Sequence, residues 1–94
     1  MREDVKRTVN LFKVLSNPVR YQILKTLTQK ESTVGELSKR LNRDSSNVSQ
    51  HFSFLRYHDL VRFQTNWTQV YYRLKRKEIH SLLQMANDFV RRKG

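Results

Sequence analysis

The chain has 94 residues, and nineteen Lys and Arg against eight Asp and Glu leave it with a net charge of +11. That length fits one small domain, and a hydrophobic content of 37% is too high for an intrinsically disordered chain despite the charge. The absence of cysteine excludes disulfides, thiolate metal sites and thiol redox sensing. So basic a chain calls for a polyanionic partner, nucleic acid ahead of an anionic membrane surface. The longest unbroken apolar run is Val70-Tyr71-Tyr72, far short of a membrane span. Met1 to Arg7 holds no apolar stretch of the secretory kind, so the expected location is cytoplasmic, with no membrane partner.

Val5, Val9, Phe12 and Leu15 recur at helical spacing and predict a first helix over about 3–15. Asn17-Pro18 breaks it and opens a second, with Asn17 as N-cap and Pro18 in the first turn. Val19, Ile23, Leu24 and Leu27 carry that helix to about Gln29. Thr33-Val34-Gly35-Glu36 fits a capping box and starts a short third helix, with Val34, Leu37 and Leu41 inward. The polar turn Asn42-Arg43-Asp44 leads into a fourth, capped by Asp44 or Ser45 and running to about His58, with Val48, Phe52 and Leu55 buried. The period then changes. Leu60-Val61-Arg62-Phe63 and Val70-Tyr71-Tyr72-Arg73-Leu74 read as a β-hairpin over about 60–74, turning near Asn66. From Lys77 helical spacing returns through Ile79, Leu82, Leu83, Ala86, Phe89 and Val90, to about residue 92. The expected architecture is a single domain over 1–94, mainly α with a small β-hairpin, in the order α-α-α-α-β-β-α.

The third and fourth helices, about 33–58, form a helix-turn-helix unit. Opposite the apolar stripe, the fourth helix carries Ser46, Ser49, Gln50 and Ser53, with Ser45 and Asn47 near its start. A solvated helix face ordinarily carries Lys and Glu, which are better helix formers. Short hydrogen-bonding side chains there suit the reading of base edges in a major groove, where Asn and Gln pair with adenine and Ser bonds several bases. The plainer alternative is a polar surface with some serines serving as caps. Lys39, Arg40 and Arg43 before the helix, and Arg56, Arg62 and Arg73 after it, are placed to reach phosphates of double-stranded DNA. Any single one of them could equally be a solvated side chain.

These residues carry a family resemblance. Leu15-Ser16-Asn17-Pro18-Val19-Arg20-Tyr21-Gln22-Ile23-Leu24 resembles the opening of ArsR-type (arsenic-repressor family) winged-helix regulators. Val34-Gly35-Glu36-Leu37-Ser38 resembles their third helix, and Ser46-Asn47-Val48-Ser49-Gln50-His51-Phe52-Ser53-Phe54-Leu55 their recognition helix. Leu60-Val61-Arg62 and Val70 to Leu74 resemble the two strands of the wing, so that the match covers about residues 9–90 in order. The resemblance implies a winged helix-turn-helix and a homodimeric repressor, paired through its first and last helices on an imperfect inverted repeat. The wide stripe of the last helix agrees with pairing, because so small a domain has little core to cover it. The expected partner face comprises Val5, Val9 and Phe12 with Ile79, Leu82, Leu83, Ala86, Phe89 and Val90; packing of the last helix on its own domain is the alternative.

Departures from the family pattern matter as well. The wing tip is Thr65-Asn66-Trp67-Thr68, without the usual glycine and cations; Asn66 is expected to supply the positive φ. Trp67 is expected to pack on the hairpin, the alternative being a contact with sugar in the minor groove. Family metal sites use cysteines, or an Asp-x-His pair on the last helix with two ligands from the other subunit. Glu78-Ile79-His80 is similar to that pair, but the complementary positions fall on Arg91 and Gly94. Glu78, His80 and Asp88 would form at most a weak zinc or nickel site, so no cofactor is expected and His80 is read as an interfacial polar residue. His51 is expected beside the core stripe and His58 at a helix end. Three scattered histidines, without a nucleophile elbow or a Gly-rich phosphate loop, do not predict an enzyme. Two other readings stay open: a non-specific nucleic-acid binder driven by charge, and a protein-interaction module using Lys75-Arg76-Lys77 and Arg91-Arg92-Lys93.

Overall fold

Asn17 and Thr33 decide where two of the helices begin in the computed structural model, which describes residues 2–92. Helix α1 spans Glu3–Leu15, α2 Pro18–Leu27, α3 Val34–Leu41 and α4 Ser45–Tyr57; strands β1 (Val61–Asn66) and β2 (Gln69–Leu74) precede α5, Lys77–Arg91. Asn17 Oδ1 accepts hydrogen bonds from the amides of Val19 and Arg20, both at 3.0 Å, so α2 starts on a satisfied cap. At α3 the capping box closes in both directions: the Glu36 amide donates to Thr33 Oγ1 at 3.1 Å, and the Thr33 amide to Glu36 Oε1 at 2.9 Å. α2 stops two residues before the expected Gln29, its last carbonyls taken by the amides of Thr28, Gln29 and Lys30.

The link between α3 and α4 is tight because Asn42 takes a left-handed conformation, φ 54°. Asparagine tolerates that region, which lets the Arg43 amide turn back to the Ser38 carbonyl at 3.0 Å. Ser38 Oγ donates to the Arg43 carbonyl at 2.6 Å, fixing the turn from the other side. Asp44 is the N-cap of α4, though no side chain bonds its first amides.

β1 and β2 pair antiparallel from Val61 with Leu74 to Asn66 with Gln69. The turn is therefore Trp67-Thr68, and it differs from expectation in two ways. Asn66 belongs to the ladder, and Trp67 takes the positive φ, 60°. Trp67 is also 92% exposed, so it does not pack on the hairpin. A two-residue connection matched to strand twist requires the left-handed region, and the chain imposes it on the residue at that position. Beyond the hairpin, Ser32 pairs with Tyr72: the Tyr72 amide donates to the Ser32 carbonyl at 2.8 Å, and the Ser32 amide to the Tyr72 carbonyl at 3.1 Å. This bridge fastens the start of the helix-turn-helix to the wing.

The core is a single cluster. Ile23, Leu24 and Leu27 of α2 meet Leu37 of α3 and Val48, Phe52 and Leu55 of α4, closed by Val14, Leu60, Val61, Ile79 and Leu83. Phe52 stacks on Tyr72 with ring centroids 3.9 Å apart and planes 18° from parallel. The positions of the α4 stripe are those expected from its period.

A candidate nucleic-acid interface on the fourth helix and wing

With Val48, Phe52 and Leu55 locked inward, the opposite face of α4 is left to solvent. Ser45, Ser46, Ser49, Gln50 and Ser53 are exposed, and Asn47 is half-buried on the flank. Arg43 Nη1 reaches Asn47 Oδ1 at 3.4 Å, joining the turn to the first turn of the helix. Ser45 Oγ lies 3.4 Å from Ser38 Oγ, so it also serves the α3–α4 junction. The uncharged polar residues thus lie together on one convex helix face, the shape that enters a major groove.

The cations around this face divide into two kinds. Lys39, Arg40, Arg43, Arg56 and Arg62 are exposed, on α3, the turn, α4 and β1. Arg56 is held with its guanidinium carbon 4.7 Å from the Phe63 ring centroid, so a cation of α4 is braced against the wing. Arg73 differs from the sequence expectation. It pairs with Arg62 across the hairpin, yet it is half-buried and its Nε is buried with no hydrogen-bond partner. A guanidinium drawn inward to that degree is poorly placed as a free phosphate contact. Sequence reasoning did not single out Arg20 for this surface. Its Nε donates to the Val14 carbonyl at 2.9 Å, and its guanidinium lies 4.3 Å from the Phe54 ring centroid. No local pattern marks such a contact between α2 and α4.

His51 is half-buried on the flank of α4. Burial, and then the nearby cations Arg20 and Arg43, hold its imidazole below the ordinary value of 6.5. The unfolded chain therefore takes up this proton before the folded one does. The stabilisation is complete above about pH 6.5 and is lost as pH falls from there through the lower folded value. Urea midpoints are expected to drop between pH 7 and pH 5, and His51→Gln is expected to flatten that drop. An equal slope in both proteins would remove His51 as its source. His58 is the C-cap of α4, 4.5 Å from the Phe54 ring and 5.1 Å from that of Tyr57.

The terminal helices carry the other exposed feature. Phe12 is 55% exposed, Met85 69% and Phe89 80%, with Val5, Val9, Ala86 and Val90 also open and Leu82 half-buried. Ile79 and Leu83, expected on the same partner face, are instead 6% and 5% exposed within the chain's own core. They anchor α5 and leave Leu82, Ala86 and Phe89 on the neighbouring flank. Met85, which the sequence reading passed over, belongs with the exposed set.

Glu78, His80 and Asp88 are all exposed, and Asp88 accepts a hydrogen bond from Gln84 Nε2 at 3.1 Å. Glu78 and Asp88 stand about 15 Å apart along the helix. No group of three or more His, Asp or Glu side chains able to hold a metal forms among the described residues. Gly94, one of the two complementary positions, lies outside them, as do Met1 and Lys93. No helix among the described residues is long and apolar enough to cross a membrane.

Five helices, a helix-turn-helix with an open polar face and a two-stranded wing braced against it define a winged helix-turn-helix protein of the transcription-regulator class. The chain belongs to the bacterial regulatory proteins of the arsR family, whose model matches residues 17–62. It is 35% identical over 87 residues to the transcriptional activator HlyU of Vibrio cholerae, covering 93% of this chain and 81% of HlyU. A solved structure of that HlyU superposes with a TM-score of 0.87 at 34% identity, over 95% of this chain and 97% of the other. The biofilm growth-associated repressor of Xylella fastidiosa is 36% identical over 77 residues, 78% of this chain and 68% of the repressor. The regulator KmtR of Mycobacterium tuberculosis is 32% identical over 86% of this chain, which spans only 62% of KmtR's length.

Proposed function

We propose that the protein is a homodimeric repressor that acts in the cytoplasm, reading an imperfect inverted repeat of double-stranded DNA through α4. The observation that carries this reading is the exposed Ser and Gln face of α4, with Asn47 half-buried on its flank, bordered by cations from α3, the turn and β1. In this reading Gln50, Asn47 and the serines at 45, 46, 49 and 53 contact base edges. Lys39, Arg40, Arg43, Arg56 and Arg62 contact phosphates and set the register. The wing tip Thr65 to Thr68 lies toward the minor groove, with the exposed Trp67 against sugar. Two copies pair through Val5, Val9 and Phe12 of α1 and Leu82, Met85, Ala86, Phe89 and Val90 of α5, setting two α4 helices about 34 Å apart. The repressor sense is supported by the named repressor of Xylella among the relatives. The reading assigns no resident metal and no catalysis; the separated Glu78, His80 and Asp88 offer a cation few converging ligands.

The test is fluorescence anisotropy at physiological salt, on duplex DNA from upstream of the protein's own gene and on a scrambled duplex. A preference of about 10³-fold or more is expected, the lower end of the range for specific binders. Equal, steeply salt-dependent binding to both would replace this reading with charge-driven, non-specific association. A stable monomer without DNA affinity would point to a protein-interaction module.

Two substitutions separate the roles. Gln50→Ala is expected to cost about 1–3 kcal/mol on the preferred duplex and little on the scrambled one, relaxing discrimination at one base position. Arg62→Ala is expected to weaken both duplexes alike and to reduce the salt slope by about one. Unchanged discrimination in Gln50→Ala would move the reading face elsewhere on α4.

A further inference from the structure

The outer half of the wing is uncharged. From Gln64 to Gln69 every residue is exposed and none carries a charge, in a chain of net charge +11. Residues paired across the hairpin share a face of the ribbon, so Gln64, Asn66 and Gln69 stand on the same side as Arg62. Phe63, Thr65 and Val70 stand on the other, with Tyr72. The first face thus runs from a cation near its root to carboxamides near its end. At the very end is Trp67, the only tryptophan in the chain and 92% exposed.

Backbone geometry singles out the same residue. Of the two turn residues only Trp67 takes a positive φ, 60°, where glycine is the ordinary occupant. For a bulky side chain that region is strained, and strain of this kind gathers at functional sites. The turn also stands on a rigid base. Phe63 is held by Arg56 of α4 and lies 5.9 Å from the Tyr72 ring, which stacks on Phe52. From Phe63 to Trp67 the strand advances about 13 Å, at about 3.3 Å per residue. Half a turn of B-DNA, the step from one groove to the next, is about 17 Å. With the length of the indole added, a tip braced against α4 reaches the minor groove beside the major groove that α4 enters.

We propose that Trp67 is a wedge: its indole passes the sugars of that minor groove and inserts partway between two base pairs, kinking the duplex. This rests on α4 lying in the major groove, and it adds a base step, outside the reach of α4, that the protein selects by deformability. Pyrimidine–purine steps such as TA unstack readily, so TA is favoured there over the stiff AA. Asn66 and Gln69 flank the turn with donors for the A N3 and T O2 acceptors of the groove floor. A protein partner fits less well. Thr65, Asn66, Thr68 and Gln69 surround the indole with hydroxyls and amides, where such a partner needs a contiguous apolar patch. A narrow A-tract, held through its negative potential, fits less well too, since the tip has no cation to place in it.

The experiment titrates the full chain with the duplex from upstream of its own gene, following indole emission and, on a labelled copy, anisotropy. Emission comes from Trp67 alone among tryptophans, and stacking on bases is expected to quench it by about half or more, saturating together with the anisotropy. A series of duplexes then carries TA or AA at each flanking step in turn. One TA duplex is expected to bind about fivefold or more tightly than its AA counterpart. A·T and T·A look alike in the minor groove, so that difference reports stiffness. Trp67→Gly suits the positive φ and is expected to melt no lower than the parent, yet to lose the TA preference. Trp67→Phe is expected to keep it. Unchanged emission in a complex that anisotropy shows to form, quenching without a TA preference, or a TA preference that survives in Trp67→Gly would each overturn the wedge and leave the α4 reading standing. Equal binding to the upstream and scrambled duplexes would overturn the α4 reading, and the wedge with it.

Discussion

Replacing Phe52 by alanine is expected to lower the unfolding free energy by about 3–5 kcal/mol, the range for emptying a large aromatic site in a packed core. Phe52 is fully buried, and its ring lies flat on Tyr72 at 3.9 Å, so the cavity would open between α4 and the wing. Domains of this kind are stable by only about 5–15 kcal/mol in total. Each kcal/mol corresponds to about 4–8 °C in Tm at this size, so a fall of at least 12 °C is expected. Thermal and urea unfolding followed by circular dichroism measure it directly. A loss below about 1 kcal/mol would mean that neighbouring side chains refill the space, contrary to the packing described. The consequence for function is geometric. Tyr72 is also the residue bridged to Ser32, so one aromatic contact joins α4, the wing and the start of the helix-turn-helix.

That bridge also marks the boundary of what periodicity conveys. Local signals were legible: the Asn17 cap, the Thr33–Glu36 capping box, the buried stripe of α4 and the change of period at the hairpin all appear in the structure. Each depends on residues a few positions apart, which is the span over which side-chain chemistry competes with backbone geometry. The pairing of Ser32 with Tyr72 spans forty positions and involves a single residue on each side, so no alternation announces it. The same holds for Arg56 over Phe63 and for Arg20 over Phe54. The positive φ of Trp67 follows from the two-residue length of the turn, which outweighs the residue's own preference.

α5 shows a different limit. Ile79, Leu82, Leu83, Ala86 and Phe89 form one wide stripe in sequence, yet tertiary packing divides it. Ile79 and Leu83 enter the core, while Ala86 and Phe89 stay outside. A stripe that wide records apolar chemistry but not which part of it meets the same chain. Met85, one position from Ala86, lies outside the stripe in sequence, and its exposure places it with Phe89.

Phe89→Asp is expected to convert the protein to a monomer at micromolar concentration, with no loss of thermal stability in the individual domain. The side chain is 80% exposed, so its removal takes nothing from the core; in the proposed dimer, what it removes is contact with a second copy. Burying one phenylalanine contributes about 1.5–3 kcal/mol, and two-fold symmetry counts the change twice. Asp adds an unpaired carboxylate in an apolar interface, which costs more than the lost area. Sedimentation equilibrium gives the mass, and melting of the variant against the parent diluted until it too is monomeric gives the domain's stability. Binding to the inverted repeat is expected to fall about 10²-fold or more, because two linked reading helices become independent. Phe89→Lys separates this effect from charge. It too should dissociate the pair, but it raises the positive charge and with it the non-specific affinity for DNA. Loss of repeat preference in both variants would assign the effect to pairing. Loss in Phe89→Asp alone, with the mass of Phe89→Lys still that of two chains, would mean that the repeat is held by charge and that Phe89 lies outside the interface.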